Sequence, residues 1–131
     1  MAWSPYDPFY DPSFTTADQQ KSLGVKVSQI SDGLSHTLLF GEKHIPLTKL
    51  AVGWWDCSTL NGNHYTCNLR AAGLYFTFAR DYNDREWKFG SYHYGITPFV
   101  MCDGSVRKYS VDLPELLQER LAKRDDGEMN E

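Results

Sequence analysis

The stretch that decides the fold is "FGSYHYGITPFVMCDGSVRKYS", residues 89–110. It contains two runs typical of β-strands, "TPFVMC" and "SVRKYS", because β-branched and aromatic residues recur in both. The runs are joined by Asp103-Gly104, a pair that favours a two-residue type I′ turn in which both central residues have φ > 0. The sequence therefore predicts an antiparallel β-hairpin with Asp103 and Gly104 at its tip.

Upstream of the hairpin, the sequence predicts three more strands. A short helix or turn near residues 28–32 should lead into a strand over about residues 35–44. Two aromatic-rich runs follow, "VGWWDCS" (residues 52–58) and "AGLYFTFA" (residues 72–79), and both are typical of strands. The Asn61-Gly62 pair between them is a turn signal.

Downstream of the hairpin, the pattern indicates a helix. Asp112 is a suitable N-cap, and Pro114 suits the first turn. Because no strand–helix alternation runs along the chain, the sequence predicts an α+β fold: an antiparallel β-sheet with a late β-hairpin and a C-terminal helix. An apolar stripe at helical spacing is formed by Leu113, Leu116, Leu117 and Leu121.

Length and composition predict one globular domain over residues 1–131. The chain is 41% hydrophobic and 15% aromatic, which is enough for a single modest core. Residues 1–24 are rich in proline and aromatic residues and predict an irregular lead-in held to the body by aromatic side chains. Residues 125–131 are expected to fray beyond a helix stop at Gly127.

The charge balance argues against two classes of partner. With 13 basic against 17 acidic residues, the net charge is -4, and no basic run offers a surface for nucleic acid or an anionic membrane. No apolar run approaches the roughly 20 residues of a membrane helix, and no signal segment follows Met1. We therefore expect neither nucleic-acid binding nor a membrane span in this chain.

The three cysteines leave two interpretations open. Cys57 and Cys67 flank the turn-rich segment "CSTLNGNHYTC" and can close a short disulfide loop in an oxidising compartment, or remain reduced in another. Cys102 is expected to lie unpaired in an apolar strand. Since neither a CxxC pair nor a paired Cys/His pattern occurs, no structural zinc is predicted.

His93 and Asp103 can be interpreted in two ways. A carboxylate that orients an imidazole suits a general base or a metal shell, and a hydrolase built on the pair would need both in one open pocket with a nucleophile or metal. However, no Gly-x-Ser-x-Gly elbow is present, and six strand residues at about 3.3 Å each separate the two by roughly 20 Å. We favour a structural role in which His93 ties the preceding loop to the hairpin, and we predict no catalytic residue.

A calcium site is a weaker candidate. Asp81, Asp84 and Glu86 could supply oxygen ligands to Ca²⁺ from an irregular loop. Their spacing matches no EF-hand, so a solvated polar loop is favoured. No other metal or cofactor is predicted.

Exposed aromatic residues are the last candidates. In a strand, Trp54 and Trp55 would point to opposite faces, so one indole would enter the core. The other, with Tyr92 and Tyr94, could stack on a sugar ring or contact a neighbouring subunit. Packing within the protein is the favoured alternative.

Two separated segments resemble one protein family. "ISDGLSHTLLFGEK" resembles the "DG-x-SNT-(apolar)-GE" segment of DUF1559, a large bacterial family of prepilin-like proteins abundant in planctomycetes, and residues 89–110 resemble its H-x9-DG signature. The resemblance covers about residues 30–127. His36 stands where the family usually has Asn, and Tyr94 replaces a common proline. The family positions fall on Asp32, Gly33, Ser35, Thr37, Gly41, Glu42, His93, Asp103 and Gly104.

The resemblance implies a domain of unknown biochemical function, also labelled solute-binding-like. In typical members it follows an N-terminal prepilin helix, which a prepilin peptidase processes and which packs into a type IV pilus or a type II secretion pseudopilus. We expect this chain to be the head domain without that helix. Its implied role is non-enzymatic and extracytoplasmic, with protein partners or neighbouring pilin-like subunits, and it predicts an exposed apolar patch. The alternative is a small glycan- or solute-binding module that uses exposed aromatic residues.

Overall fold

A computed structural model of the protein describes residues 25–53, 55–60, 65–84 and 87–127, with the side chains of residues 65 and 66 left aside. The lead-in at residues 1–24 and the Asn61-Gly62 turn signal lie outside these ranges. The fold is α+β, with a three-stranded antiparallel sheet and a C-terminal helix, as predicted. In chain order the elements are a 3-10 helix Val27–Gln29, strand β1 Leu38–Gly41, a 3-10 helix Leu47–Lys49, a short helix Tyr65–Asn68, strands β2 Ile96–Met101 and β3 Val106–Ser110, and the C-terminal helix Glu115–Ala122.

Strand β2 is the centre of the sheet. The strand order is β1-β2-β3, and β2 pairs antiparallel with both neighbours. Its side chains alternate as a half-covered sheet requires, with Thr97, Phe99 and Met101 buried. The strand predicted over residues 35–44 is shorter than expected. It spans Leu38–Gly41, and beyond it Lys43 forms an isolated bridge with Phe89.

The core is organised around the ring of Phe99. Its centroid lies 4.8 Å from that of Phe78, 5.2 Å from that of Phe89 and 6.0 Å from that of Tyr109. Gly41 pairs with Phe99 across the sheet, and a Cβ atom on Gly41 would come within 2.5 Å of the Phe99 ring. Any larger residue at position 41 would therefore displace the centre of the core.

The tip of the hairpin differs from the predicted type I′ turn. The Gly104 amide donates to the Met101 carbonyl at 2.9 Å, and the Met101 amide donates to the Ser105 carbonyl at 2.9 Å. Only Gly104, at φ 84, has a positive φ, so the connection is a three-residue loop with a glycine bulge. The physical reason lies in Asp103, whose Oδ1 accepts from both the amide and the hydroxyl of Ser105 without needing φ > 0. Cys102, expected in a strand, lies in this loop as a half-buried free thiol.

The strand predictions for residues 52–58 and 72–79 are wrong for the described residues. The amides of Trp55 and Asp56 both donate to the Val52 carbonyl at 2.9 Å, which makes this segment a turn. In the second segment the Phe76 amide donates to the Gly73 carbonyl, and Tyr75 has φ 68. A residue in the left-handed region cannot continue an extended strand.

The C-terminal helix forms where expected and buries Leu121 of the predicted stripe, but Gln118 joins the buried face and Leu116 does not. Pro114 occupies the N-cap position, and Asp112, the predicted cap, instead lies 3.3 Å from Arg80. Leu116 of the predicted stripe is exposed, whereas Gln118 is completely buried. The Gln118 side chain accepts from the Phe78 amide at 2.7 Å and donates to the Leu113 carbonyl at 2.6 Å, so it satisfies backbone groups that lack a strand partner. Within the described ranges, no helix has the length and apolar character needed to span a membrane.

Candidate functional site

The two sequence motifs meet at the tip of the hairpin. The Leu34 carbonyl accepts from the Asp103 amide at 3.0 Å, and the Thr37 carbonyl accepts from the Cys102 amide at 2.9 Å. Thr37 is itself fixed, because its hydroxyl donates to the Gly33 carbonyl at 3.1 Å. Residues 32–37 therefore form a loop that holds the hairpin tip, which is a structural task for this part of the motif.

Asp32 extends the same junction to the C-terminal segment. Its carboxylate accepts from the amides of Asp126 at 3.0 Å and Gly127 at 2.9 Å, an arrangement that we name the Asp32 clamp. Burial of the carboxyl opposes ionisation, but hydrogen bonds from the Gly127 and Asp126 amides outweigh it and hold the pKa of Asp32 below its ordinary 3.8. Gly127, in the tail that was expected to fray, is thus bonded to the body of the domain.

The Asp32 clamp makes stability depend on acid pH. Because the folded pKa lies below 3.8, the carboxylate contributes stability that is fully present above 3.8 and is lost as the pH falls through the folded pKa. We therefore expect Asp32→Asn to melt below the parent at neutral pH, and the difference to shrink at pH values below 3.8. Thermal unfolding followed by circular dichroism across this range measures both effects.

Asp125→Asn is the matched control, because Asp125 lies beside the clamp with an exposed side chain. Its melting temperature should follow that of the parent at every pH. An equal loss of melting temperature in the Asp125 and Asp32 variants would contradict a stabilising role of the Asp32 clamp.

His93 does not join the motif junction. It precedes β2 whereas Asp103 follows it, so the two lie at opposite ends of one strand. The His93 amide donates to the Ser91 hydroxyl at 2.9 Å, and within the described ranges its exposed side chain makes no hydrogen bond to the hairpin. The described residues therefore show no hydrogen-bonded tie from His93 to the hairpin, and the His93–Asp103 dyad that the hydrolase hypothesis requires does not assemble.

Of the remaining motif positions, Glu42 has a backbone role. The Glu42 carbonyl accepts from the Gly90 amide at 3.1 Å, which fixes the segment that leads to His93. Ser35 is half-buried between Gly33 and Thr37.

A long apolar depression runs along β1 at one edge of the described sheet. We name it the β1 groove; its volume is about 540 Å³. A bulge in the β1–β2 register breaks the alternation of β1, so that Leu39 and Phe40 are both exposed. Phe40 is 66% exposed and Leu60 is 93% exposed. The lining used below comprises Leu39, Phe40, Lys43, Leu60, Leu69 and Phe89.

A disulfide between Cys57 and Cys67 supports one wall of the β1 groove. The Cα atoms are 5.2 Å apart, and Cys67 is buried. The Lys43 ammonium donates to the Cys57 carbonyl at 2.6 Å and to the Cys67 carbonyl at 3.3 Å. Burial, with a contribution from Arg70, lowers the pKa of Lys43, and burial lowers the pKa of Arg70 to about 10. With a pKa of about 10, Arg70 stays charged at neutral pH.

A second, polar depression of about 440 Å³ lies at the open end of the hairpin. We name it the His93 pocket; three segments that are distant in sequence line it, and the residues used below are Arg80, Asp81, Tyr82, His93, Tyr94 and Asp112. Arg80 and Asp112 form an exposed ion pair at 3.3 Å. Tyr94 is 98% exposed at the rim.

The aromatic residues that were predicted to stack on a sugar ring do not form one surface in the described part of the chain. Trp54 lies outside the described residues, and Trp55 is half-buried in a turn, with the Lys49 ammonium 5.5 Å from its ring centre. Tyr92 donates its hydroxyl to the Ile45 carbonyl at 2.8 Å and stacks on Tyr82, with 5.4 Å between ring centres. Of the three described candidates, Tyr94 is the one that lines the His93 pocket.

The calcium candidates have other partners. The Asp84 carboxylate accepts from the Lys88 ammonium at 3.0 Å, and Asp81 accepts from the Asn83 amide at 2.8 Å. Glu86 lies outside the described residues. In the part of the chain that the structure describes, no three His, Cys, Asp or Glu side chains are grouped to hold a metal ion.

Sequence reasoning missed most of the residues that line the two depressions, although Asp81, His93 and Tyr94, which it singled out, line the His93 pocket. One signal for the β1 groove was available, because "TLLFG" in a sheet with one covered face must leave apolar side chains exposed. The His93 pocket had no comparable signal, since Arg80, His93 and Asp112 are brought together only by the folded chain.

The geometry defines a class: a disulfide-bonded α+β domain with an apolar groove along one sheet edge and a polar pocket at the open end of its hairpin. A family model described as "Protein of unknown function (DUF1559)", SBP_bac_10, matches residues 2–113. The chain belongs to this family. A search of curated proteins found no match, and a search of solved structures found none either.

Proposed function

We propose that the protein is a non-enzymatic, extracytoplasmic head domain that acts by binding protein, with the β1 groove as its contact surface. The partner is an apolar helix of the pilin type or a neighbouring subunit of a type IV pilus or type II secretion assembly. The observation that carries the proposal is the exposed apolar lining of this groove, including Phe40 and Leu60. Contiguous apolar surface on a domain of this size is typical of interaction sites.

The apolar lining of the groove supports a helical partner. Leu39, Phe40, Leu60 and Leu69 all line it, so the apolar stripe of a helix could pack against them. The Cys57–Cys67 disulfide supports an extracytoplasmic location, because such bonds persist in oxidising compartments.

Binding of a synthetic amphipathic helical peptide with a leucine stripe tests the proposal. The parent protein should bind the fluorescent peptide saturably, as measured by anisotropy. Phe40→Asp should weaken binding at least about tenfold, which corresponds to about 1.4 kcal/mol, because it places a charge in the apolar contact.

Val106→Asp is the matched control. Val106 is 67% exposed, nearly the same as Phe40, but it stands on β3 and does not line the β1 groove. Its affinity should equal that of the parent. Absence of saturable binding by the parent, or equal losses in both variants, would overturn the proposal.

A further inference from the structure

We infer that the His93 pocket is a binding site for a neutral saccharide. The inference is independent of the proposed protein contact, because the β1 groove and the His93 pocket share no lining residue. A volume of about 440 Å³ falls within the range of natural small-ligand sites.

The chemistry of the lining selects the ligand class. Arg80, Asp81, Asp112 and His93 present planar groups whose donors and acceptors can bond to adjacent hydroxyls of a sugar ring. Tyr94 stands at the rim as an exposed aromatic face, on which the C–H face of a sugar can stack. A ligand with both hydroxyls and apolar faces therefore fits the site best.

The charge of the lining argues against ionic ligands. One arginine faces two aspartates, so these three groups carry a net charge of -1, which disfavours an anion. Arg80 lies 3.3 Å from Asp112 and compensates that carboxylate, and Asp81 already accepts a hydrogen bond from the Asn83 amide at 2.8 Å, so a cation would gain from one exposed carboxylate alone. A neutral polyhydroxylated ligand does not depend on the charge of the lining.

The walls of the pocket are held by hydrogen bonds before any ligand arrives. The Ala79 amide donates to the Phe89 carbonyl at 2.8 Å, which anchors the wall that carries Arg80 to Tyr82. The Val111 amide donates to the Gly95 carbonyl at 3.0 Å and closes the opposite side. Tyr92 packs against the Tyr82 ring, with 5.4 Å between the ring centres. Such preorganisation lowers the entropic cost of binding.

Calorimetric titration of the intact chain with neutral hexasaccharides of glucose, mannose, galactose and N-acetylglucosamine tests the inference. At least one should bind saturably at millimolar concentration or below, and an oligogalacturonate of the same length should bind more weakly. Tyr94→Ala and Asp112→Asn should each lower the affinity at least about tenfold. Both side chains are exposed, so these variants should keep the parent's melting temperature.

Tyr75→Ala and Trp55→Ala are the controls. Tyr75 is 82% exposed, and neither residue lines the pocket, so both variants should bind like the parent. No binding of any neutral sugar, preference for the anionic oligomer, or loss in the Trp55 variant without loss in the Tyr94 variant would overturn the inference. Phe40→Asp should leave sugar binding unchanged, so failure here is separable from failure of the protein-contact proposal.

Discussion

Phe99→Ala should lower the free energy of unfolding by about 3–5 kcal/mol, the largest single-residue effect that we expect in this domain. Phe99 is 1% exposed, and its ring contacts those of Phe78, Phe89 and Tyr109, so truncation opens a cavity where three parts of the chain meet. Since small domains are stable by only about 5–15 kcal/mol, the variant should unfold at a much lower urea concentration.

The same change at Phe40 is the control for Phe99. Phe40 stands on the neighbouring strand but is mostly exposed, so Phe40→Ala should cost less than about 1 kcal/mol. Chemical denaturation of both variants, followed by tryptophan fluorescence, measures the difference. Equal costs would show that Phe99 is not the centre of the core.

Phe99→Ala should also weaken peptide binding, because Phe89 and Gly41 contact Phe99 and line the β1 groove.

Removal of the Cys57–Cys67 disulfide should cost about 3 kcal/mol. The bond closes a short loop, with a sequence separation of 10, and it restricts the unfolded chain. The carbonyls of Cys57 and Cys67 also accept the Lys43 ammonium, so loss of the bond should loosen the groove wall and weaken peptide binding. Urea unfolding of the Cys57→Ser, Cys67→Ser double variant measures the stability.

Cys102→Ser provides the background for the disulfide experiment. Cys102 is the free thiol of the described chain, and its replacement prevents exchange with the bonded pair. Burial and the nearby Asp103 raise the pKa of the Cys102 thiol, so it is a weak nucleophile in the parent. If the double variant unfolds at the same urea concentration as the Cys102→Ser background, the disulfide does not stabilise the fold.

The local sequence pattern predicts the β-sheet better than it predicts the segments around the sheet. The β-branched and aromatic residues at 97–110, together with the Asp103-Gly104 pair, are enough to predict the hairpin, and both of its strands form. The turn type is not predictable from Asp103-Gly104 alone, since it depends on hydrogen bonds from Ser105. The aromatic run at residues 72–79 suggests a strand, but Tyr75 adopts a positive φ that no pattern reveals.

The burial of a polar side chain is a second feature that the sequence pattern does not predict. Leu116 fits an apolar stripe by spacing, yet Gln118 faces the core because the Phe78 amide needs an acceptor there. The contacts of the motif residues are equally hidden from the sequence pattern. The positions of Asp32 and Asp103 are clear from motif resemblance, but their partners, Gly127 and Leu34, are distant in sequence and appear only in the folded chain.

Tension applied between residues 25 and 127 would act first on the hydrogen bonds of Asp32. Residues 31 and 32 bond to the backbone of residues 124, 126 and 127, so the chain path between them forms a closed ring that contains the whole sheet. A pull on residues 25 and 127 therefore loads these few hydrogen bonds, while the hairpin inside the ring bears no force until they break. Under such tension the Asp32 clamp would break before the sheet that carries the β1 groove deforms.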